Sequence, residues 1–187
     1  MDKPLPNLNL LDMESNNITK LSPNIFINNP GIYYLGFSDN QLVTLPATLL
    51  NKATILDTIQ FDNNRLTSIQ TYGTKIAFLS QNQLQTVQLQ SGIERIVLEN
   101  NFVTSFTCPD ANLSTIKYIY AENNSMSSYN CISAMENLDT LELTRNKLPR
   151  PTPDTFTIMT VLNKQKIRLG YIDWKDIYIC NITQPYF

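Results

Sequence analysis

Seven asparagines recur along this chain inside one apolar frame: Asn16, Asn40, Asn64, Asn82, Asn101, Asn124 and Asn146. Apolar residues usually stand three and five positions before each one, and nearly always two after it. Leu11, Met13, Asn16 and Ile18 set the frame. Leu35, Phe37, Asn40 and Leu42 repeat it, as do Ile59, Phe61, Asn64 and Leu66. Ile96, Leu98, Asn101 and Val103 follow it too, and so do Leu141, Leu143, Asn146 and Leu148. Two copies are weaker: Ala77, Leu79, Asn82 and Leu84, and Ile119, Ala121, Asn124 and Met126. Alternating apolar residues put one face of a short strand into a core. A buried asparagine then turns the chain, because its amide both donates to and accepts from backbone groups. An ordinary turn residue accounts for any single asparagine, but not for the series.

The frame resembles the leucine-rich repeat, LxxLxLxxNxL. The resemblance covers roughly residues 8–157. It implies an α/β solenoid: a right-handed horseshoe with a parallel sheet of seven strands on the concave face and an irregular or 3₁₀ convex side. All seven asparagines should be buried in a structural ladder. Successive ladder positions are 24, 24, 18, 19, 23 and 22 residues apart, so the return path varies while the strand keeps its length. Three long repeats pair a proline with an apolar residue three later: Pro23 with Phe26, Pro46 with Leu49, Pro153 with Phe156. Proline suits the first turn of a short helix or 3₁₀ segment. The two shortest repeats have no room for such a turn and should return nearly extended. Mixed lengths of this kind resemble eukaryotic receptor and receptor-like kinase ectodomains.

After Phe156 the pattern fails. The expected organisation is a solenoid over 1–157 and a C-terminal cap of the same domain over 158–187. Ile167, Leu169, Tyr171, Ile172, Trp174, Ile177, Tyr178 and Ile179 are too apolar a set for a disordered tail. The first repeat begins at about Leu8, which leaves no room for the cap that terminal repeats need. A fragment of a longer protein is therefore expected, and the lack of a signal-like stretch before Leu8 carries little weight on localisation.

Composition narrows the chemistry. There is no histidine, which removes histidine triads and the commonest metal ligand. The glycines at 31, 36, 73, 92 and 170 form no phosphate-binding loop, and the cysteines lack zinc spacing. No cofactor, metal or catalytic residue is expected, and the chain does not read as an enzyme. Glu99 and Glu122 occupy equivalent positions in adjacent repeats, ~5 Å apart across one strand spacing. Retaining glycosidases hold two carboxyls at about that distance. Without a cleft or a tuned environment, a solvated strand face explains the pair better. With 14 basic and 16 acidic residues, nothing points to nucleic acid or anionic lipid. No apolar run approaches the ~20 residues of a membrane span.

The residues beside the core positions should form three outward columns. One reads Leu10, Tyr34, Thr58, Ile76, Arg95, Tyr118, Thr140; the next Asp12, Gly36, Gln60, Phe78, Val97, Tyr120, Glu142; the third Glu14, Ser38, Asp62, Ser80, Glu99, Glu122, Thr144. An apolar, aromatic centre bounded by carboxylates is what protein-binding surfaces tend to show. The candidate ligand-binding residues are Tyr34, Ile76, Phe78, Arg95, Val97, Glu99, Tyr118, Tyr120 and Glu122. Strand propensity alone would place some of them there as well. A register slip in the short repeat would turn Ile76 and Phe78 inward.

Two further signals bear on compartment. Sequons stand at Asn17, Asn112, Asn123 and Asn181, but 22 asparagines and 31 serines or threonines in 187 positions give about that many by chance. Cys108 and Cys131 each lie seven residues past a ladder asparagine, in consecutive coils, and are the plausible disulfide pair. Cys180 stands alone in the cap. Three buried free thiols are the alternative. The expected function is recognition of a protein or peptide, in an extracellular or cell-surface setting. An intracellular scaffold without a dedicated ligand site is the other reading; an oxidised cysteine pair favours the first, and the full-length gene context decides between them.

Overall fold

The computed structural model describes residues 7–109, 112–149 and 166–168. Strands β1 (Leu10–Asp12), β2 (Tyr34–Gly36), β3 (Thr58–Gln60), β4 (Ser68–Gln70), β5 (Ile76–Phe78), β6 (Thr86–Gln88), β7 (Arg95–Val97), β8 (Ser105–Thr107), β9 (Tyr118–Tyr120), β10 (Thr140–Glu142) and β11 (Lys166–Arg168) follow in chain order. Eight form one sheet, β1-β2-β3-β5-β7-β9-β10-β11, and every neighbouring pair is parallel. The remaining three form a second parallel sheet, β4-β6-β8. The chain is a parallel-strand solenoid, in which each coil adds one strand to the large sheet.

Each frame position has become a column of the core. Leu35, Ile59, Ala77, Ile96, Ile119 and Leu141 are fully buried at the strand centres. Phe37, Phe61, Leu79, Leu98, Ala121 and Leu143 form the next column, where Phe37 and Phe61 stack with ring centroids 5.6 Å apart. Leu42, Leu66, Leu84, Val103 and Met126 close the third. Burying an aliphatic side chain of this size is worth about 1.5–3 kcal/mol, so these columns supply the main driving force.

The asparagine ladder has one repeated geometry. Nδ2 of Asn64 donates to the Phe37 carbonyl one coil back at 2.9 Å, and to Phe61 and Asp62 in its own coil. Its Oδ1 accepts the Leu42 N–H at 2.9 Å. Asn40, Asn82, Asn101, Asn124 and Asn146 repeat this pattern on the coil before each. The residue before each ladder asparagine has a left-handed backbone: Ser15, Asp39, Asn63, Gln81, Asn100, Asn123 and Arg145, with φ between 51° and 58°. That kink turns the chain out of the strand. Among residues with a side chain, Asn and Asp tolerate it best, and they fill four of these seven positions.

Several expectations need correcting. Asn16 is exposed and donates only within its own coil, to Met13 and Glu14. No described coil precedes it to accept a third bond, so burial fails at that end. Asn146 is half-buried rather than buried, although its bonds are complete. The large sheet has eight strands, not seven. β11 lies inside the segment read as a cap and sets Ile167 opposite Leu141. The rest of 158–187, with Trp174 and Cys180, lies outside the described residues, as does the Pro153–Phe156 pair.

The return paths obey their lengths. Phe26 and Leu49 are buried after successive i→i−3 turns at 22–29 and 46–53. No α-helix occurs among the described residues; one 3₁₀ turn, Ile132–Ala134, is the regular helical content. No helix there is long and apolar enough to cross a membrane. The 18- and 19-residue repeats return extended, as β4 and β6. β8 joins them from a 23-residue repeat, which sequence length alone did not imply. Cys108 and Cys131 are bridged, with Cα atoms 6.3 Å apart, and tie two consecutive coils.

Candidate functional site

The outward columns sit in the expected register. Leu10, Tyr34, Thr58, Ile76, Arg95, Tyr118 and Thr140 are successive cross-strand partners. So are Asp12, Gly36, Gln60, Phe78, Val97, Tyr120 and Glu142. Ala77 is fully buried between half-exposed Ile76 and Phe78, so the short repeat keeps its register and both side chains face out. Parallel strands lie about 4.8 Å apart, which sets the pitch of the face.

Three lanes cross the middle of this face. In the first, the Arg95 guanidinium lies over the Tyr118 ring, 4.7 Å from its centroid. Such a contact fixes both side chains and is worth about 0.5–1 kcal/mol at an exposed site. The second lane is apolar: Phe78, Val97 and Tyr120 on β5, β7 and β9, all half-exposed. The third carries Asp62, Ser80, Glu99 and Glu122. Asp62 accepts the Ser80 N–H at 2.8 Å, and the Ser38 hydroxyl reaches it at 3.5 Å. Arg145 pairs with Glu122 at 3.6 Å from the edge of the lane.

The carboxylates in the third lane are crowded. Partial burial pushes the Glu99 carboxyl above its ordinary range, and the charges of Glu122, Glu142 and Asp62 push it further. Burial also raises Asp62, against hydrogen bonds that favour its charged form. A positive group arriving beside Glu99 would relieve this repulsion.

Tyr34 stands apart from the other candidates. Thr58 separates it from Ile76 along its column. Its hydroxyl donates to Gln60 Oε1 at 2.6 Å. Gly36 beside it is buried, and a methyl there would meet Asp12 Oδ1 at 2.6 Å and the Tyr34 hydroxyl at 3.1 Å. Glycine thus lets Asp12 and Tyr34 close over the strand. Glu14 is exposed at the far end and joins no cluster with Glu99. The remaining eight candidates form one continuous surface across β5, β7 and β9.

Two features escaped the sequence reading. Arg145 sits at the left-handed kink position, where nothing in the frame calls for a cation. Just ahead of the strands runs a column of alternating charge: Asp57, Lys75, Glu94, Lys117 and Asp139, joined by backbone bonds from coil to coil. Lys75–Asp57 at 3.3 Å and Lys117–Glu94 at 2.9 Å are its ion pairs. Both are well exposed and worth little. A groove of about 300 Å³ lies elsewhere, lined by Leu45, Tyr72, Gln88 and others beside the second sheet. It shares no residue with the three lanes.

No protein-family model and no curated protein matches the chain. Solved structures do. The leucine-rich repeat domain of APL1B superposes with a TM-score of 0.81 at 21% identity, over 88% of this chain and 50% of that one. The LRIM1/APL1C complex gives a TM-score of 0.79 at 20% identity, over 88% and 31%. The ectodomain of the plant membrane receptor kinase GASSHO1/SCHENGEN3 from Arabidopsis thaliana gives 0.62 at 23% identity, over 88% and 21%. This chain spans half or less of each of these three. The fold is the leucine-rich repeat solenoid.

Proposed function

We propose that this chain is a recognition module. It binds a protein or peptide with a basic surface on the concave face, around Ile76, Phe78, Arg95, Val97, Glu99, Tyr118, Tyr120 and Glu122, and performs no chemistry there. The observation that carries this is the side-by-side placement of an apolar lane and a crowded acidic lane on a rigid strand grid. The grid loses little ordering entropy when a partner docks. Phe78, Tyr118 and Tyr120 offer large contact area at low rotamer cost. The acidic lane favours a cationic partner and rejects anionic ones, nucleic acid among them.

The related folds support an interaction role in general. APL1C and LRIM1 were solved as a complex, and the GASSHO1/SCHENGEN3 ectodomain in complex with CASPARIAN STRIP INTEGRITY FACTOR 2. The bridge between Cys108 and Cys131 favours an oxidising, extracellular setting. Tyr34 belongs to the periphery of the proposed face, two strands from Ile76.

Chemical cross-linking of captured partners, read by mass spectrometry, tests the reading. Cross-links should reach Lys75 and Lys117, which flank the first lane. Links confined to the return path, at Lys52 in the turn at 46–53, would refute it.

A further inference from the structure

We infer that Asn112 is an N-glycosylation site, an inference that rests on the extracellular setting proposed above. As a bare motif the sequon says little. The folded turn around it says more. The Asn112 side-chain oxygen accepts both the backbone N–H of Ser114, at 3.1 Å, and its hydroxyl, at 2.6 Å. The hydroxyl that the sequon requires is therefore already bonded to the acceptor amide. Among the described residues, Asn112 Nδ2 has no protein partner, and the side chain is exposed.

The turn is also pinned from below. Leu113 is fully buried, Asn137 of the next coil donates to the Ser114 carbonyl at 2.8 Å, and the Thr115 hydroxyl donates to Ile93 of the previous coil at 2.9 Å. A sugar on Asn112 would project from an anchored turn without disturbing any of these bonds. Asn112 precedes β9 and lies outside all three lanes, so the glycan leaves the proposed binding face open.

The other described sequons differ. Asn123 sits at a left-handed kink, and its Nδ2 donates to Asn100 Oδ1 at 2.8 Å. A glycan there would compete with that bond. Asn17 is exposed, with its oxygen held by Gln41 at 3.1 Å and no described bond to Thr19. In the transfer, the Asn112 amide nitrogen displaces a polyprenyl diphosphate from C1 of a lipid-linked oligosaccharide. The N–C1 bond forms, the C1–O bond to phosphate breaks, and the amide loses one proton.

The test uses protein recovered from its native cells. Peptide mapping before and after peptide-N-glycosidase reports Asn112, and a non-reducing map of the same sample reports the bridge. Bridged Cys108–Cys131 with a glycan on Asn112, converted to aspartate by the glycosidase, is the expected result. Bridged cysteines with bare Asn112 would overturn the site and leave the compartment standing. Free thiols with bare Asn112 would overturn the compartment and the site with it. In secreted recombinant protein, Ser114→Ala should lose the glycan and Ser114→Thr should keep it. Retention in Ser114→Ala would contradict the assignment.

Discussion

The side-chain amide of Asn101 donates to the carbonyl of Leu79, one coil back, at 3.0 Å. It also donates to Leu98 at 3.0 Å, and its oxygen accepts the Leu84 N–H at 3.0 Å. One side chain thus satisfies backbone groups in two coils where water cannot reach. Asn101→Leu leaves these groups unpaired, at about 1–3 kcal/mol for each that finds no substitute. Asn16→Leu, at the exposed end, should stay within about 0.5 kcal/mol of wild type. Denaturant unfolding of the two variants checks this. Equal losses would show that the ladder bonds contribute nothing beyond local turn geometry.

Why the rest of the ladder was legible follows from this bond set. A position that must donate and accept at once, in a fixed place after two apolar residues, accepts few residue types. Strand register was legible for the same reason, since period two leaves no freedom once the core face is set. β11 escaped because the position five past Ile167 is Ile172, not asparagine. Burial of Asn16 was misjudged because burial depends on a neighbouring coil, which its own frame does not report. The left-handed kinks were invisible because Ser15, Gln81 and Arg145 share no side-chain chemistry with Asp39 or Asn63. The rim charges were within reach of the same frame, since Asp57, Lys75, Glu94, Lys117 and Asp139 each stand seven positions before a ladder asparagine, one residue ahead of the outward columns. On the candidate face, each residue's orientation was readable, but the contacts of Arg95 with Tyr118 and of Arg145 with Glu122 were not.

The bridge should stabilise the middle of the solenoid. Its sequence separation is 23, and closing a loop of that size stabilises by about 3 kcal/mol in the chain-entropy model. Replacing both Cys108 and Cys131 with alanine should cost most of that in urea unfolding. A double variant as stable as wild type would mean that packing between these coils suffices.

Glu99 gives a pH signature. Its carboxyl is raised in the fold, so the folded state holds the proton more tightly than the unfolded chain does. Between the unfolded value, about 4.3, and the raised folded value, stability therefore falls as pH rises. At neutral pH the charged form carries a small penalty, reduced by solvent screening at this half-exposed site. Glu99→Gln should melt slightly higher than wild type at pH 7, and the gain should vanish below about pH 4. A gain that persists in acid would mean that the effect is not electrostatic.

Association kinetics should report the acidic lane. Glu99→Gln with Glu122→Gln should slow binding of a basic partner and flatten its dependence on salt, while dissociation changes less. Surface plasmon resonance over a range of ionic strength measures both rates. Unchanged association would remove the acidic lane from recognition.

The central claim is that Tyr120 and its neighbours on β5, β7 and β9 form the binding face. Its most direct test compares wild type and Tyr120→Ala, each immobilised and offered the same partner identified by capture and cross-linking, with thermal melts run alongside. The account predicts binding weaker by about 2 kcal/mol or more, with the melting temperature nearly unchanged because Tyr120 is half-exposed while Ile119 beneath it carries the core. Tyr120→Ala binding that partner with wild-type affinity would contradict it.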